Sequence, residues 1–152
     1  MLQHLEKTTS PHNKKQLFDL VMDIEKYPEF LPWCADAEIV DELSPQELTA
    51  DLTIDFKAIT KTYRSLVSYK KIQKDKEEIY EINVKMIKGP FKSLMNQWRF
   101  SDDPAGKGSI IEFEIELELK SKLFSMILGQ VFDFAYKKMV AAFCERADEI
   151  YK

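Results

Sequence analysis

The hydrophobic period of the chain changes abruptly in its last quarter, and that change constrains the fold more than any other feature. Ile111, Phe113, Ile115, Leu117 and Leu119 are apolar, while Glu112, Glu114, Glu116, Glu118 and Lys120 between them are charged. A period of two is a strand with one dry and one wet face. After Lys122 the period lengthens: Phe124, Ile127, Val131, Phe134 or Ala135, Met139, Phe143, Ala147 and Ile150 recur every three to four positions. This predicts a helix with one broad apolar face, interrupted only by Gly129 and, at 1.5 Å per residue, roughly 40 Å long. A face that large needs a large partner, so the helix is expected to lie across what precedes it.

What precedes it is mostly strand. Leu2 to Thr9 reads as a weakly patterned first strand that Pro11 ends, and Asn13 stands where it can cap a helix from Lys14 to about Ile24. In Tyr27-Pro28-Glu29-Phe30-Leu31-Pro32-Trp33-Cys34, two prolines four apart permit only one short turn between them. Five alternating runs follow, at Ala37 to Leu43, Leu48 to Phe56, Thr62 to Ile72, Tyr80 to Met86 and Leu94 to Phe100. Short links such as Gln73 to Glu77 and Lys88-Gly89-Pro90 imply an antiparallel meander. The expected fold class is therefore α+β, in a single domain over residues 1–152: a curved antiparallel sheet of about seven strands wrapped around a long C-terminal helix, with two short helices after the first strand. A twisted sheet seldom closes tightly on a helix, and the space between them is a candidate pocket.

The inward-facing positions carry little chemistry. They are almost all aliphatic or aromatic, with Asn96, Tyr63, Tyr80, Ser65 and Trp98 as the polar exceptions. No paired carboxylates join them, and His4 and His12 are expected at the N-terminal edge, outside the helix and hairpins. General acid–base work needs a titratable group within reach of substrate, and a metal needs three or four ligands at suitable spacing; neither pattern is present. Glycine-rich phosphate loops and G-x-S-x-G elbows are also missing. Cys34 and Cys144, far apart and outside any Cys-x-x-Cys, read as small buried residues in a reducing compartment, as does the lack of a signal segment. By periodicity alone, the apolar positions describe a filled core as well as an open groove.

Charge is unevenly spread. The net charge is −4, yet Lys57 to Lys92 holds ten basic and four acidic residues, so the rest of the chain is strongly acidic. Lys57, Lys70, Lys71, Lys74, Lys76 and Lys88 read either as the decoration of a solvated hairpin or as an electropositive rim for anionic lipid or RNA.

Several segments carry a resemblance. Gln16-Leu17-Phe18-Asp19-Leu20-Val21, the Tyr27 to Cys34 segment, Gly89-Pro90-Phe91-Lys92-Ser93-Leu94, Trp98-Arg99-Phe100 and Phe143-Cys144-Glu145-Arg146-Ala147 resemble the Coq10/RatA-type coenzyme Q-binding proteins of the START/polyketide-cyclase (SRPBCC) superfamily. The resemblance covers essentially the whole chain and implies the helix-grip, START-like fold. It further implies a non-enzymatic protein that holds ubiquinone or a related polyprenyl lipid and supports respiratory electron transport, with no cofactor required. The contacts would come from Phe30, Leu31, Trp33, Phe56, Tyr63, Tyr80, Val84, Phe91, Leu94, Asn96, Trp98, Phe113, Phe124, Ile127, Val131, Phe134 and Met139. The Phe30-Leu31-Pro32-Trp33 turn would plug one end of the groove, or gate it at a membrane edge. The implied location is the bacterial cytoplasm, with peripheral contact at the anionic inner membrane. The same family implies an alternative partner, the large ribosomal subunit, whose joining such a factor would block. An aromatase or cyclase comes third, for want of an acid or base, and nothing points to DNA.

Overall fold

The computed structural model describes residues 1–56 and 59–151. Its strands are β1 (Leu2–Ser10), β2 (Cys34–Ser44), β3 (Glu47–Phe56), β4 (Ile59–Lys74), β5 (Glu77–Lys88), β6 (Ser93–Asp102) and β7 (Ser109–Glu118). They form one sheet in the order β1-β7-β6-β5-β4-β3-β2, every neighbouring pair antiparallel. The meander expected from the short links is present, and β1 closes back on β7 from Leu2 opposite Leu117 to Ser10 opposite Ser109. Helix α1 (Lys14–Met22) and a 3₁₀ segment (Ile24–Glu29) fill the connection from β1 to β2, and α2 (Lys122–Gly129) and α3 (Phe132–Ile150) follow β7. This is the α+β helix-grip arrangement. Among the described residues no helix is long and apolar enough to cross a membrane.

The alternation in β7 does what its period dictates: Ile111, Phe113, Ile115 and Leu117 are buried on the concave face. Asn13 caps α1 reciprocally, its side chain accepting from the Gln16 N–H at 2.9 Å while Gln16 accepts from the Asn13 N–H at 3.0 Å. Helix α1 stops at Met22, before Ile24, because the chain tightens into the 3₁₀ segment. That segment already contains Pro28, so the short turn expected between the two prolines lies mostly ahead of them.

One expectation is corrected and another refined. The long terminal helix is two helices. Gly129 ends α2, and Val131, at φ −121° and ψ −1°, stands outside helical geometry before α3 begins. Glycine lowers helix propensity, and the β-branched Val131 two residues on leaves the ladder broken rather than bent. The helical phase restarts at Phe132, so α3 buries Phe132, Ala135, Val140, Phe143 and Ala147. The histidines do lie at the N-terminal edge, on β1 and in the turn after it, but both reach α3. His4 Nδ1 lies 3.2 Å from Asp133 Oδ1 near the start of α3, and His12 Nε2 lies 2.7 Å from Asp148 Oδ1 near its end. With Arg146 held 2.8 Å from Glu29, α3 is fastened by polar contacts at both ends. Cys34 and Cys144 are half-buried free thiols, and burial pushes the Cys34 thiol up to about 11.

The convex face holds one almost fully buried carboxylate. Glu81 accepts from Arg99 Nε and Asn83 Nδ2, each at 2.8 Å, with Lys70 at 3.5 Å. Burial alone would raise its pKa, but the hydrogen bonds from Asn83 and Arg99 and the nearby positive charges outweigh burial and hold it below the usual range. A folded-state pKa below the unfolded one adds stability at neutral pH that is lost on acidification. Arg99→Met is therefore expected to unfold at lower urea than wild type at pH 7, with the gap closing as pH falls below about 4.3. A gap that stays constant would show the pair to be inert.

At the β1–β7 seam the backbones approach closely: a Cβ on Gly108 would stand 1.8 Å from the Ser10 carbonyl oxygen and 2.8 Å from Pro11 Cα. Both obstacles are main chain and cannot swing away. Gly108→Ala is expected to destabilise by about 3 kcal/mol, whereas Gly106→Ala, whose Cβ meets nothing nearer than 3.6 Å, should leave the thermal midpoint unchanged.

Candidate functional site

The concave face is covered but not filled. A cavity of about 410 Å³ lies between the sheet and the C-terminal helices. Its floor comes from strand positions of one parity: Tyr63 and Val67 on β4, Ile82 and Val84 on β5, Leu94, Asn96 and Trp98 on β6, and Phe113, Ile115 and Leu117 on β7. Phe132, Ala135, Tyr136, Met139 and Phe143 of α3 form the roof, and Phe124 and Leu128 of α2 extend it. One end is walled by Val21, Ile24, Tyr27 and Leu31. The cavity reaches the surface among Trp33, Phe56, Lys61, Pro90, Phe91, Lys120 and Ser121, of which Lys61, Lys120 and Ser121 are exposed.

Rings hold the walls in place. Trp98 lies 4.6 Å from Phe113 and 5.0 Å, edge-on, from Phe143, while Tyr27 meets Phe143 edge-on at 5.3 Å. At the mouth, Trp33 stands edge-on to Phe56 at 5.1 Å. Trp33 takes φ 63°, a left-handed conformation that is unfavourable for a bulky side chain. Its carbonyl accepts from the Asp55 N–H at 2.9 Å, tying the turn to the end of β3.

Polar groups in the cavity are few, and only one has a buried side-chain nitrogen or oxygen without a partner among the described residues. The Tyr27 hydroxyl donates to the Val21 carbonyl. Burial pushes the phenols of Tyr27, Tyr63 and Tyr136 far above their ordinary value, so all three stay neutral. Asn96 Oδ1 is the exception: it is buried against the cavity without a hydrogen-bond partner. Among the described lining residues only Lys61 and Lys120 are charged, both at the mouth, and none is Asp, Glu or His. No group of His, Cys, Asp or Glu among the described residues could hold a metal. The arrangement can enclose and orient an apolar molecule. Among the described lining residues no carboxylate or imidazole is placed to act on one as acid or base.

Of the residues expected at the site, the fold brings together Leu31, Trp33, Phe56, Tyr63, Val84, Phe91, Leu94, Asn96, Trp98, Phe113, Phe124 and Met139. Five others stand elsewhere. Phe30 packs outside the end wall, 5.2 Å from Phe143, with the Arg146 guanidinium 5.2 Å above its ring. Tyr80 shares the parity of Ile82 but lies farther along β5, under Phe18 of α1 at 5.3 Å. Ile127 and Phe134 are 56% and 66% exposed, and Val131 sits in the gap between α2 and α3, because the helical phase restarts there. The same restart brings in Phe132 and Tyr136, and Leu128 joins Phe124 one turn on along α2; a single helical stripe selects none of the three added residues.

The lysine rim is corrected as well. Lys57 lies outside the described residues. Lys70, Lys71, Lys74 and Lys76 sit toward the far end of the β4–β5 hairpin, with Lys70 roughly 30 Å and Lys74 roughly 43 Å along β4 from Lys61 at the mouth. There Lys70 faces Glu81 and Lys71 lies over the Tyr80 ring at 5.2 Å. Lys88 stands opposite Arg64, toward the mouth end. These lysines do not form one surface.

A helix laid over a curved seven-stranded antiparallel sheet, with an apolar cavity between them, defines a START-like, helix-grip protein. The chain belongs to the polyketide cyclase / dehydrase and lipid transport family, which it matches over residues 10–144. It is 37% identical to the ribosome association toxin RatA of Rickettsia prowazekii (strain Madrid E) over the whole of both chains. It is 26% identical to the mitochondrial coenzyme Q-binding protein COQ10 homolog B of Xenopus laevis, over 99% of this chain and 59% of that one. The solution structure of the 18 kDa protein CC1736 from Caulobacter crescentus shares its fold with a TM-score of 0.74 at 30% identity, covering 99% of each chain. The resemblance read from the proline-bracketed Tyr27 to Cys34 segment thus holds at the level of family.

Asn96 offers a direct test of the cavity. An unpaired buried acceptor is destabilising, and an apolar side chain of similar shape removes that penalty. Asn96→Leu is expected to raise the unfolding free energy, by about 1 kcal/mol. A clear loss of stability would mean that the amide is paired and structural.

Proposed function

We propose that this protein binds a polyprenyl-quinone-like lipid in the apolar cavity and carries or presents it to the respiratory chain, without performing chemistry on it. The observation that carries the reading is a cavity of about 410 Å³ whose described lining is mostly apolar, carries charge only at its mouth and holds one buried, unpartnered amide oxygen. Every CH₂ moved from water into such a space contributes ~0.8 kcal/mol, so an isoprenoid chain is held without any charged contact. The volume falls in the range of ordinary ligand pockets. It accommodates a quinone head and the first part of a tail, and the rest of a long tail would leave through the mouth. The Asn96 carboxamide can give an N–H to a quinone carbonyl or accept a quinol hydroxyl, the orienting contact that an otherwise dry pocket lacks. The likeness to a coenzyme Q-binding protein supports the same ligand class. No bound metal or cofactor is part of this reading.

The test is to purify the protein from a quinone-producing host, extract it with organic solvent and measure prenylquinone by mass spectrometry. A yield approaching one quinone per chain is expected, and repeated absence would overturn the reading. Asn96→Leu should fold and yield several-fold less quinone. Equal yields would transfer the orienting role to the tyrosine hydroxyls.

A second reading has the stronger support among the relatives, 37% identity over full length to a ribosome association toxin against 26% to a coenzyme Q-binding protein. On this reading the partner is the large ribosomal subunit, and contacts to RNA phosphates would make binding steeply salt-dependent. Co-sedimentation at low salt that is lost on charge reversal of Lys70, Lys71 and Lys74 would favour it. No co-sedimentation at any salt would remove it.

A further inference from the structure

Helix α2 is apolar on two sides. Phe124 and Leu128 turn inward and line the cavity, while Leu123, Met126 and Ile127 turn outward and are 69%, 71% and 56% exposed. None of its eight residues is buried. A short helix exposed in this way gains little stability from packing, and a contiguous apolar face in water marks a surface that meets something else.

The charges around α2 indicate what that something is. From Leu119 to Gln130 the chain has no acidic residue, and Lys120 and Lys122 flank the start of the helix. Lys61, also exposed, stands at the same mouth. Among the described residues none of these three lysines has an ion-pair partner. The acids nearest in sequence are engaged or displaced: Glu118 is held by Lys92 at 3.3 Å, Asp55 accepts from the Thr60 hydroxyl at 3.3 Å, and Asp133 pairs with His4 at the start of α3. The protein as a whole carries a net charge of −4. A negatively charged surface would repel most of it and attract this end.

We propose that α2 is a membrane-docking element. Leu123, Met126 and Ile127 seat in the headgroup region of an anionic bilayer, Lys61, Lys120 and Lys122 meet lipid phosphates, and the cavity mouth opens directly into the acyl phase. The inference rests on the lipid-binding reading, for which it supplies a route: an apolar ligand passes between bilayer and cavity without crossing water. Trp33, whose indole has both an apolar body and a polar tip, stands on the same rim and suits the interface. A folded protein partner would satisfy the outward face equally well. It would leave unexplained why that face adjoins the opening of an apolar cavity and is ringed by unpaired cations. Lysines beside a thin apolar wedge are the composition of helices that lie in the bilayer surface.

The experiment is vesicle flotation of the full chain, using phosphatidylcholine alone and phosphatidylcholine mixed with phosphatidylglycerol. Wild type is expected to float with the mixed vesicles and not with the neutral ones, and to release in high salt as screening shortens. The triple variant Leu123→Ser, Met126→Ser, Ile127→Ser changes only exposed side chains, so its melting curve should match wild type while vesicle binding falls more than tenfold. Lys120→Gln with Lys122→Gln should lose about fivefold per lysine. A triple variant that floats like wild type, or a wild type that floats with neither vesicle, overturns the proposal. So does co-sedimentation with ribosomal subunits through the same three residues in a protein that ignores vesicles. Quinone uptake is measured separately in detergent, without vesicles. Uptake without flotation sinks the docking proposal and leaves the ligand reading standing, whereas flotation without uptake supports docking and sinks the quinone.

Discussion

The molecule depends on a helix that covers the dry face of its sheet without filling it. Strand alternation makes one face of β3 to β7 largely apolar, and that face must be removed from water. A helix packed down its whole length would do so and leave no space. Instead α3 is seated by Phe132 and Ala135 at its start and by Val140, Phe143 and Ala147 farther on, and is tied at both ends by polar contacts. The His4–Asp133 and His12–Asp148 pairs connect it to β1 and to the turn that follows, which belong to the edge of the sheet rather than its centre. Support from the edge lets the middle of the sheet curve away beneath the helix. The cavity follows from where the fastenings are.

A fold stabilised in this way forgoes packing that a filled core would have. Trp98, Phe113 and Phe143 compensate in part, with large rings in edge and tilted contact forming a rigid wall from comparatively few residues. Asn96 works in the opposite direction, since its unpaired oxygen is a local penalty, as are those of Ser65 and Thr49. Departures from local consistency concentrate where a protein interacts with something outside itself. Here the unpaired amide, the left-handed Trp33 and the exposed face of α2 all border one cavity.

How much of this was legible in the sequence follows from what each pattern measures. Strand faces were readable because a period of two leaves no intermediate phase: a one-residue error would expose Ile111, Phe113, Ile115 and Leu117 together. Parity says nothing of position along a strand, however, and so Tyr80 was grouped with Val84 although it lies beneath α1. A count of lysines is equally blind to distance, which is why Lys70 and Lys88 seemed to belong to one rim. The opening of the cavity had no sequence signal of its own, because an apolar position has the same identity whether its neighbour is a side chain or a void. The family resemblance supplied that expectation, and the residues alone would not have.

The break at Gly129 to Val131 is where sequence pattern and structure part, and it accounts for much else. Read as one helix, Phe124, Ile127, Val131 and Phe134 form a single stripe that would lie buried along the sheet. The interruption ends that stripe after α2, and Phe132 rather than Val131 begins the buried face of α3. Ile127 and Phe134 are then turned to solvent, and α2 is freed from the clamps that hold α3. A continuous helix would have closed the cavity at the end where Lys61 and Lys120 now stand. One glycine and a β-branched residue two positions on therefore produce three features together: an open mouth, a thinly packed cover over it, and an apolar surface facing outward beside unpaired lysines.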